Sequence, residues 1–184
     1  FACSSGSTRI DTTTARGARS LVKSHCMAYE KNNKLHIVAV VAVIRNEEGK
    51  YLVLRRSERE IAYPGMYTFP GGKMEDNNTV EETLRQEVKE ECGLTLEEGK
   101  ILLKDKVFVR PDGQSAKVFS YLCVVKAGAS VVIDQNDFTD YKWVTPEELD
   151  SLPHVGIKTE IEQAEKIMSL NLPFSTLATR SEKD

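Results

Sequence analysis

The sequence predicts an α/β fold in which a mixed β-sheet lies between helices, as an α/β/α sandwich. Three observations predict it. Residues 36–44 are a near-continuous apolar and β-branched run, typical of a strand covered on both faces. Residues 79–92 and 158–170 repeat apolar side chains at helical spacing. Residues 101–109 and 116–125 flank a Pro-Asp-Gly turn and predict an antiparallel hairpin.

The composition indicates one domain with nearly balanced charge. The chain has 184 residues, with 25 Lys and Arg against 28 Asp and Glu, for a net charge of −3. This length suits a single domain with a sizeable core. Because no long basic run occurs, we expect neither a nucleic-acid duplex nor an anionic membrane as an obligate partner. No apolar stretch approaches the roughly 20 residues that a transmembrane helix needs.

The four cysteines indicate reduced thiols. Cys3, Cys26, Cys92 and Cys123 are scattered along the chain without any CxxC spacing. This pattern is typical of a cytoplasmic protein, and we predict that location. Cys92 falls inside the predicted helix 79–92, where we expect a small half-buried residue and not a nucleophile.

Residues 1–33 are predicted to lie outside the core as a leader or extension. Ser, Thr and Arg dominate residues 1–26, Asp11 is the one acidic residue there, and no apolar run is long enough for a secretory signal. Two interpretations stay open, a vector-derived leader with Met27 as the natural start or a transit-like sequence. The first is favoured because no amphipathic helical pattern is present. The remainder divides into a domain at 34–170 and a polar tail at 171–184.

The strand at 36–44 is expected to pair with the segment that follows it. Residues 47–50 turn the chain, and 51–55 return it as a partner strand. Arg55 and Arg56 stand at the end of this second strand. Surface charge at a strand exit is the usual role of such arginines.

The segment 61–69 combines a Pro-Gly turn with three aromatic side chains. Tyr67 and Phe69 are two residues apart, so in a short strand they share one face and Thr68 takes the other. Core packing is the usual role of such aromatics, although beside a phosphate site they can also stack on a nucleobase. Lys73, directly after two glycines, is placed to meet an anionic ligand.

An unusually acidic helix is predicted at 79–92. Thr79 and Glu82 have the spacing of a capping box at its start, and Gly93 is expected to end it. One face carries an apolar stripe made of Val80, Leu84 and Val88.

Three carboxylates of this helix, Glu87, Glu90 and Glu91, share one arc beside the apolar stripe. Carboxylates one turn apart repel each other, so a cation bound there would stabilise them. Oxygen ligands without clustered His or Cys favour Mg²⁺ or Mn²⁺ over zinc. The carbonyl of Gly71 is a candidate further ligand, since glycine lets the backbone approach closely. Taken alone, these residues favour a solvated acidic helix face over a metal site.

Three aspartates precede the single tryptophan of the chain. Asp134, Asp137 and Asp140 cluster just before Trp143. Such a cluster is compatible with an acidic surface loop or with a further role at a metal site.

Two helices are predicted to complete the domain. Thr145 is the expected N-cap of a short helix whose first residue is Pro146. The last helix, at 158–170, places Ile161, Ala164, Ile167 and Met168 on one face. His154, in the link between these helices, is expected to be a polar surface residue.

The spacing around the acidic helix resembles the Nudix box, the signature of the MutT-type hydrolases. That signature reads Gly, five residues, Glu, seven residues, Arg-Glu, an aliphatic residue, any residue, Glu-Glu, any residue, Gly and an aliphatic residue. The flanking FPGGK and DYKWVTPEEL also resemble the family, so that the resemblance spans roughly 35–170. Seven of nine specified positions match, namely Gly72, Glu87, Val88, Glu90, Glu91, Gly93 and Leu94.

Two positions depart from the signature. Asn78 stands where the family has its first Glu, and Gln86 stands where it has Arg. In the family these two side chains are described as a pair that braces the loop against the helix. We interpret Asn78 and Gln86 as an amide pair that replaces an ion pair.

The resemblance implies a Nudix fold and Mg²⁺- or Mn²⁺-dependent hydrolysis of a nucleoside diphosphate linked to another moiety, most like a MutT-type nucleoside triphosphate pyrophosphatase. It implies that the metal is held by Glu87, Glu90 and Glu91, with the Gly71 carbonyl. Asp137 would be a further ligand or the general base, and Asp140 is the second candidate for this role. The residues facing a small-molecule nucleotide substrate would be Arg55, Arg56, Phe69 and Lys73.

Other functions stay open within this resemblance. ADP-ribose, dinucleoside polyphosphates and sugar nucleotides are alternative substrates. A prenyl diphosphate isomerase of the same fold would need a Cys in the pocket, which Cys92 does not offer. A nucleotide-binding sensor without hydrolysis is supported only by the missing charged pair at Asn78 and Gln86. The sequence makes no prediction of the oligomeric state.

Overall fold

The computed structural model describes residues 36–75, 77–110, 113–126, 128–170 and 174. The predicted leader at 1–33 and the predicted tail at 171–184, except Phe174, lie outside the described residues. The strands are β1 (Ile37–Ile44), β2 (Tyr51–Arg56), β3 (Tyr67–Thr68), β4 (Gly71–Lys73), β5 (Ile101–Val109), β6 (Ser115–Cys123) and β7 (Phe138–Val144), and the helices are α1 (Val80–Cys92), α2 (Pro146–Leu149) and α3 (Lys158–Met168).

The strands form two sheets. The first has the order β4-β1-β6-β5 and is mixed, because β1 runs parallel to β6 and antiparallel to β4. The hairpin of β5 and β6 is antiparallel, as predicted. The second sheet is antiparallel and has the order β3-β2-β7. The predicted mixed sheet is therefore present, and a smaller sheet accompanies it.

The sheets lie between helices, which confirms the α/β/α sandwich. On one face of β1, Val40, Ala42 and Ile44 share a buried cluster with side chains of α1. On the other face, Val43 shares a cluster with side chains of α3. Alternate residues of one strand thus enter two cores, which is why the sequence of β1 is apolar throughout. Among the described helices, none is both long and apolar enough to cross a membrane.

The prediction that 51–55 pair with the first strand is wrong. The turn forms at 47–50, but only one isolated bridge, between Arg45 and Tyr51, links the two strands beyond it. β2 instead pairs with β7 along its length and with β3 at its end. The residues Tyr51–Leu54 are completely buried, as the pattern required. Apolar patterning records burial on both faces, and it does not identify the strand at each edge.

The helix ends agree with the local signals. Thr79 caps α1 in a reciprocal capping box with Glu82, and Gly93 ends it in the left-handed conformation with φ of 69°. Thr145 caps α2 in the same way, with Pro146 at its start. The last helix is two residues shorter than predicted, because it ends at Met168. These signals depend on neighbouring residues alone, which makes them readable from sequence.

Candidate active site

The edge strand β4 meets the acidic helix α1 through its two glycines. Gly72 lies directly against the carboxylate of Glu87, and a Cβ atom at position 72 would overlap that carboxylate. Gly71 has φ of 144°, and a Cβ there would overlap the backbone of Val40. The N–H of Gly71 donates to Oε2 of Glu91 over 2.7 Å. The glycine turn therefore holds two of the predicted carboxylates against the sheet.

The carboxylates of this region form one electrostatic cluster. Burial, together with repulsion from Glu90, Glu75 and Asp137, raises the pKa of Glu87. Burial, together with repulsion from Glu87 and Asp137, raises the pKa of Glu91 to about 8. The hydrogen bond from the N–H of Gly71 acts in the opposite direction and lowers this pKa. We name the five residues Glu75, Glu87, Glu90, Glu91 and Asp137 the acidic cluster.

The three predicted aspartates have different surroundings. Asp137 lies near enough to the acidic helix to repel both Glu87 and Glu91. Asp140 instead accepts a hydrogen bond from the hydroxyl of Tyr67 over 2.8 Å. Asp134 accepts from the backbone N–H of Asn136 over 2.9 Å. The geometry favours Asp137 as the fourth functional acid and gives Asp140 and Asp134 roles in local structure.

Glu75 was not predicted as a site residue. It is exposed, lies in the loop between β4 and α1, and repels Glu87. The only sequence signal available was its acidity three residues after Gly72, which many surface loops share.

The acidic cluster fits a hard divalent cation. Within the described ranges, no three His, Cys, Asp or Glu side chains already converge as a ligand set. The donors are nevertheless all oxygen atoms, and their mutual repulsion is the kind that Mg²⁺ or Mn²⁺ relieves. Glu87, Glu90 and Glu91 are the residues that would hold such an ion. The carbonyl of Gly71 stays a predicted further ligand.

A cavity of about 850 Å³ lies beside the acidic cluster. Its floor is the face of the first sheet that is turned away from α1, and its walls come from the second sheet, the 59–63 loop and the start of α3. Gly71 lines this cavity while its N–H holds Glu91, so the two regions are continuous. The floor is mostly apolar, with Ile37, Ala39, Val41, Ala116 and Val118, and it includes the polar residue Ser120. This volume suits a nucleotide-sized ligand.

The two arginines at the end of β2 have different surroundings in the structure. Arg56 lines the cavity, and its Nε donates to the carbonyl of Ala62 over 2.7 Å. Its positive charge also opposes the raised pKa of Glu91. Arg55 does not line the cavity, and it pairs with Glu58 over 2.9 Å. Only Arg56 of this pair is therefore in a position to meet a substrate in the cavity.

The other two predicted substrate residues line the cavity in different ways. Phe69 is 2% exposed and belongs to the main core, so that core packing is its first role. Lys73 is exposed at the edge of the first sheet. An exposed ammonium at the cavity is free to approach an anionic ligand.

Cys92, Cys123 and His154 do not offer a nucleophile. Cys92 and Cys123 are buried free thiols, and burial raises the pKa of each to about 12. Nδ1 of His154 accepts hydrogen bonds from the backbone N–H groups of Gly156 and Ile157, so His154 caps its own loop. Cys92 is more deeply buried than predicted. Cys3 and Cys26 lie outside the described residues.

The predicted amide pair is present as a long contact. Nδ2 of Asn78 lies 3.4 Å from Oε1 of Gln86, and both side chains are exposed. Gln86 also donates to Oε1 of Glu90 over 3.1 Å. This second bond links Gln86, one of the two residues that differ from the signature, directly to a carboxylate of the acidic cluster.

The raised pKa of Glu91 predicts how stability depends on pH in the metal-free protein. A carboxyl whose pKa rises on folding, here from 4.5 to about 8, holds its proton more tightly in the folded state. Folding stability therefore decreases as pH rises through this window. With a chelator present, we expect the Tm to fall between pH 5 and 8, and Glu91→Gln to make this fall smaller. A wild-type Tm that rises across the same window would contradict the burial of Glu91.

Comparison with known proteins gives consistent matches. The family model described as NUDIX domain matches residues 35–165. Nucleoside triphosphatase NudI of Salmonella agona (strain SL483) is 30% identical over 118 residues, which cover 60% of this chain and 83% of that protein.

Solved structures share the fold. The crystal structure of a MutT protein from Methanosarcina mazei Go1 has a TM-score of 0.62 and 28% identity, and the match covers 74% of this chain and 97% of that one. The NUDIX domain of Shewanella oneidensis NrtR, complexed with ADP ribose, has a TM-score of 0.61 at 18% identity. That match covers 73% of this chain and 89% of the NrtR chain, and it concerns the fold alone.

Proposed function

The chain belongs to the Nudix hydrolase family, and we propose that it is an Mg²⁺- or Mn²⁺-dependent pyrophosphohydrolase that acts on nucleoside triphosphates. One observation carries the proposal. The acidic cluster adjoins, through Gly71, a cavity with a mostly apolar floor and cationic side chains at its edge. Carboxylates suit the metal, Arg56 and Lys73 suit the phosphates, and the apolar floor suits a nucleoside.

The chemistry divides between the ion and the side chains. When bound, the divalent ion supplies positive charge at the phosphoryl oxygens and lowers the pKa of a bound water. Glu91 is oriented by the N–H of Gly71, and Glu87 is confined by Gly72. Asp137 is exposed and close to both, so it is a candidate acceptor of the water's proton.

The cationic side chains have a positioning role. Arg56 is held at Nε by Ala62 and pairs with Glu60, which fixes its direction at the cavity wall. Lys73 follows the glycine turn and is exposed. Together they would orient the phosphate chain for in-line attack, since positioning accounts for much of phosphoryl transfer.

The relatives support a nucleoside triphosphate as substrate. The Salmonella protein is named a nucleoside triphosphatase, and the chain spans most of its length. The NrtR domain is described in complex with ADP ribose, which keeps ADP-ribose hydrolysis, or binding without hydrolysis, as outcomes of the test. The acidic cluster supports hydrolysis, because a module that only binds nucleotide does not need five mutually repelling acids beside its binding cavity.

A release assay tests the proposal. Purified protein with Mg²⁺ is given nucleoside triphosphates, oxidised nucleotides, ADP-ribose and dinucleoside polyphosphates, and the monophosphate, phosphate and pyrophosphate products are separated. We expect metal-dependent formation of nucleoside monophosphate and pyrophosphate from triphosphates. Release from ADP-ribose or dinucleoside polyphosphates alone would change the substrate class. Nucleotide binding without any release would establish the sensor function instead.

Arg56 is expected to contribute to substrate binding, with Arg55 as its matched control. Replacing Arg56 by Met removes a charge-assisted contact to phosphate, so kcat/KM should fall by roughly 10- to 100-fold. Arg55→Met removes the same charge from the neighbouring residue outside the cavity, and kcat/KM should stay within about threefold. Each variant loses one ion pair and one hydrogen bond from Nε to a loop carbonyl, so their stabilities should be similar. Equal losses of kcat/KM would contradict the assignment.

We also propose a cytoplasmic location. The buried free thiols of Cys92 and Cys123 are compatible with it. The proposed partner is the small-molecule nucleotide itself.

A further inference from the structure

An ion pair inside the cavity is not used by the proposed hydrolysis. Glu160, in the first turn of α3, has a side chain that is 2% exposed, and it lines the cavity. Oε1 of Glu160 pairs with Nζ of Lys106 from β5, and its Oε2 accepts from the hydroxyl of Thr159 over 2.8 Å. Lys106 is 29% exposed and also lines the cavity. The carboxylate is thus enclosed, and the ammonium is the part that a ligand can reach.

An ion pair with a buried carboxylate is a weak means of stabilising a fold. Removing the charge of Glu160 from water costs several kcal/mol, and apolar residues of similar volume are often as stable. Neighbouring Lys104 joins the same strand to the same helix with an ordinary hydrogen bond to Thr159. The fold therefore has another link at this junction, and the ion pair calls for a different explanation.

One N–H donor of the Lys106 ammonium is available to a ligand. It carries three N–H donors, of which one meets Glu160 and one meets the carbonyl of Gly156 over 2.8 Å. The third has no acceptor among the residues that the structure describes. Its partner Glu160 is enclosed and stays paired with it, whereas Glu60, the partner of Arg56, is more exposed, so Lys106 is suited to a neutral acceptor more than to phosphate.

The sheet register places this donor far from the catalytic edge. Lys73, Ala39, Val118 and Lys106 form one row across β4, β1, β6 and β5, and paired residues face the same side of a sheet. Three strand spacings separate the two lysines, which is about 14 Å. Lys73 directly follows the glycines that contact Glu87 and Glu91, and the phosphates are proposed to bind there. A nucleotide extended across the apolar floor would bring its base to Lys106.

We propose that Lys106, held in position by Glu160, is a specificity-determining residue that donates to a carbonyl oxygen at the base edge farthest from the sugar, which the C2 oxygen of cytosine does not occupy. Guanine carries such an oxygen at C6, and uracil and thymine carry one at C4. Adenine and cytosine carry an amino group there, and a lysine ammonium cannot accept from it. The chain should therefore prefer keto bases over amino bases. The inference rests on the proposed nucleotide hydrolysis for the placement of the phosphates.

The experiment compares binding and turnover across four bases. Calorimetry without added metal gives the Kd of GMP, UMP, AMP and CMP, and assays with Mg²⁺ give kcat and KM for the four triphosphates. We expect wild type to bind the keto nucleotides on the order of tenfold more tightly. Lys106→Met should abolish this preference through Kd and KM, with kcat changed little.

Three variants separate specificity from structural support. Lys104→Met removes the neighbouring link between β5 and α3 and should keep the wild-type preference. Lys106→Arg retains a donor and should restore much of the preference that Lys106→Met loses. Glu160→Gln keeps the side-chain shape without its charge, and should reduce the preference less than Lys106→Met does.

The outcomes distinguish this inference from the proposed function. Selective binding of keto monophosphates without turnover of any triphosphate would support the inference and overturn the hydrolysis. Turnover with equal Kd values for all four bases would overturn the inference and leave the hydrolysis standing. Equal effects of Lys106→Met and Lys104→Met on the preference would also overturn it, because the ion pair would then be a structural link.

Discussion

Replacing Glu91 by Gln should lower turnover by at least about 100-fold while the fold is retained. Loss of a residue that merely orients a metal ligand commonly costs 10- to 100-fold, so loss of a ligand itself should cost more. Gln keeps the oxygen that accepts from the N–H of Gly71 but removes the negative charge. Turnover of a nucleoside triphosphate at saturating Mg²⁺, together with the Tm, measures the effect. We expect the Tm of the metal-free variant at pH 8 to equal or exceed that of wild type, because a buried charge is removed.

Glu81 provides the matched control for this change. It lies on the same helix but pairs with Arg85 and Lys100, away from the acidic cluster. Glu81→Gln should therefore leave kcat within a few fold of wild type. If Glu91→Gln retained wild-type turnover, Glu91 would not be a metal ligand.

Replacing Gly72 by Ala should cause the second-largest loss of activity. The added Cβ would overlap the carboxylate of Glu87, so this side chain must turn away from its position. A displacement of about 1 Å in a catalytic group can cost on the order of 100-fold in rate. The Tm should change little, because the displaced group is the far end of a flexible side chain. Measured kcat and Tm would separate these two effects.

Gly71→Ala is the informative comparison. Its Cβ would overlap the carbonyl of Val40, which is backbone inside the first sheet, and its φ of 144° disfavours any other residue. This variant should lose stability as well as activity. An active Gly72→Ala protein would show that Glu87 does not need its observed position.

The sequence predicted the features that depend on neighbouring residues. The start and end of α1 follow from Thr79, Glu82 and Gly93, all within one turn of the boundary. The arc of Glu87, Glu90 and Glu91 follows from helical geometry in the same way. The separation of β1 from β2 was missed, because the partner of each strand is chosen by residues far away in the chain.

The residues that line the cavity could not be predicted from the sequence for the same reason. Arg55 and Arg56 are adjacent in sequence, and only the register of β2 with its neighbours decides which one lines the cavity. Lys106 and Glu160 are 54 positions apart in the chain, and no local pattern marks either of them. The sequence predicts Phe69 as both a core and a substrate residue. In the structure it is 2% exposed and packs in the core, and it also lines the cavity.

The most direct test of the central claim is a titration with Mn²⁺ followed by electron paramagnetic resonance. The account predicts a Mn²⁺ site that Mg²⁺ displaces, with affinity reduced by more than about tenfold in Glu87→Gln and in Glu91→Gln. Glu81→Gln should bind Mn²⁺ as wild type does. Unchanged Mn²⁺ affinity in both site variants would contradict the claim that the glutamates of α1 in the acidic cluster hold the metal of this hydrolase.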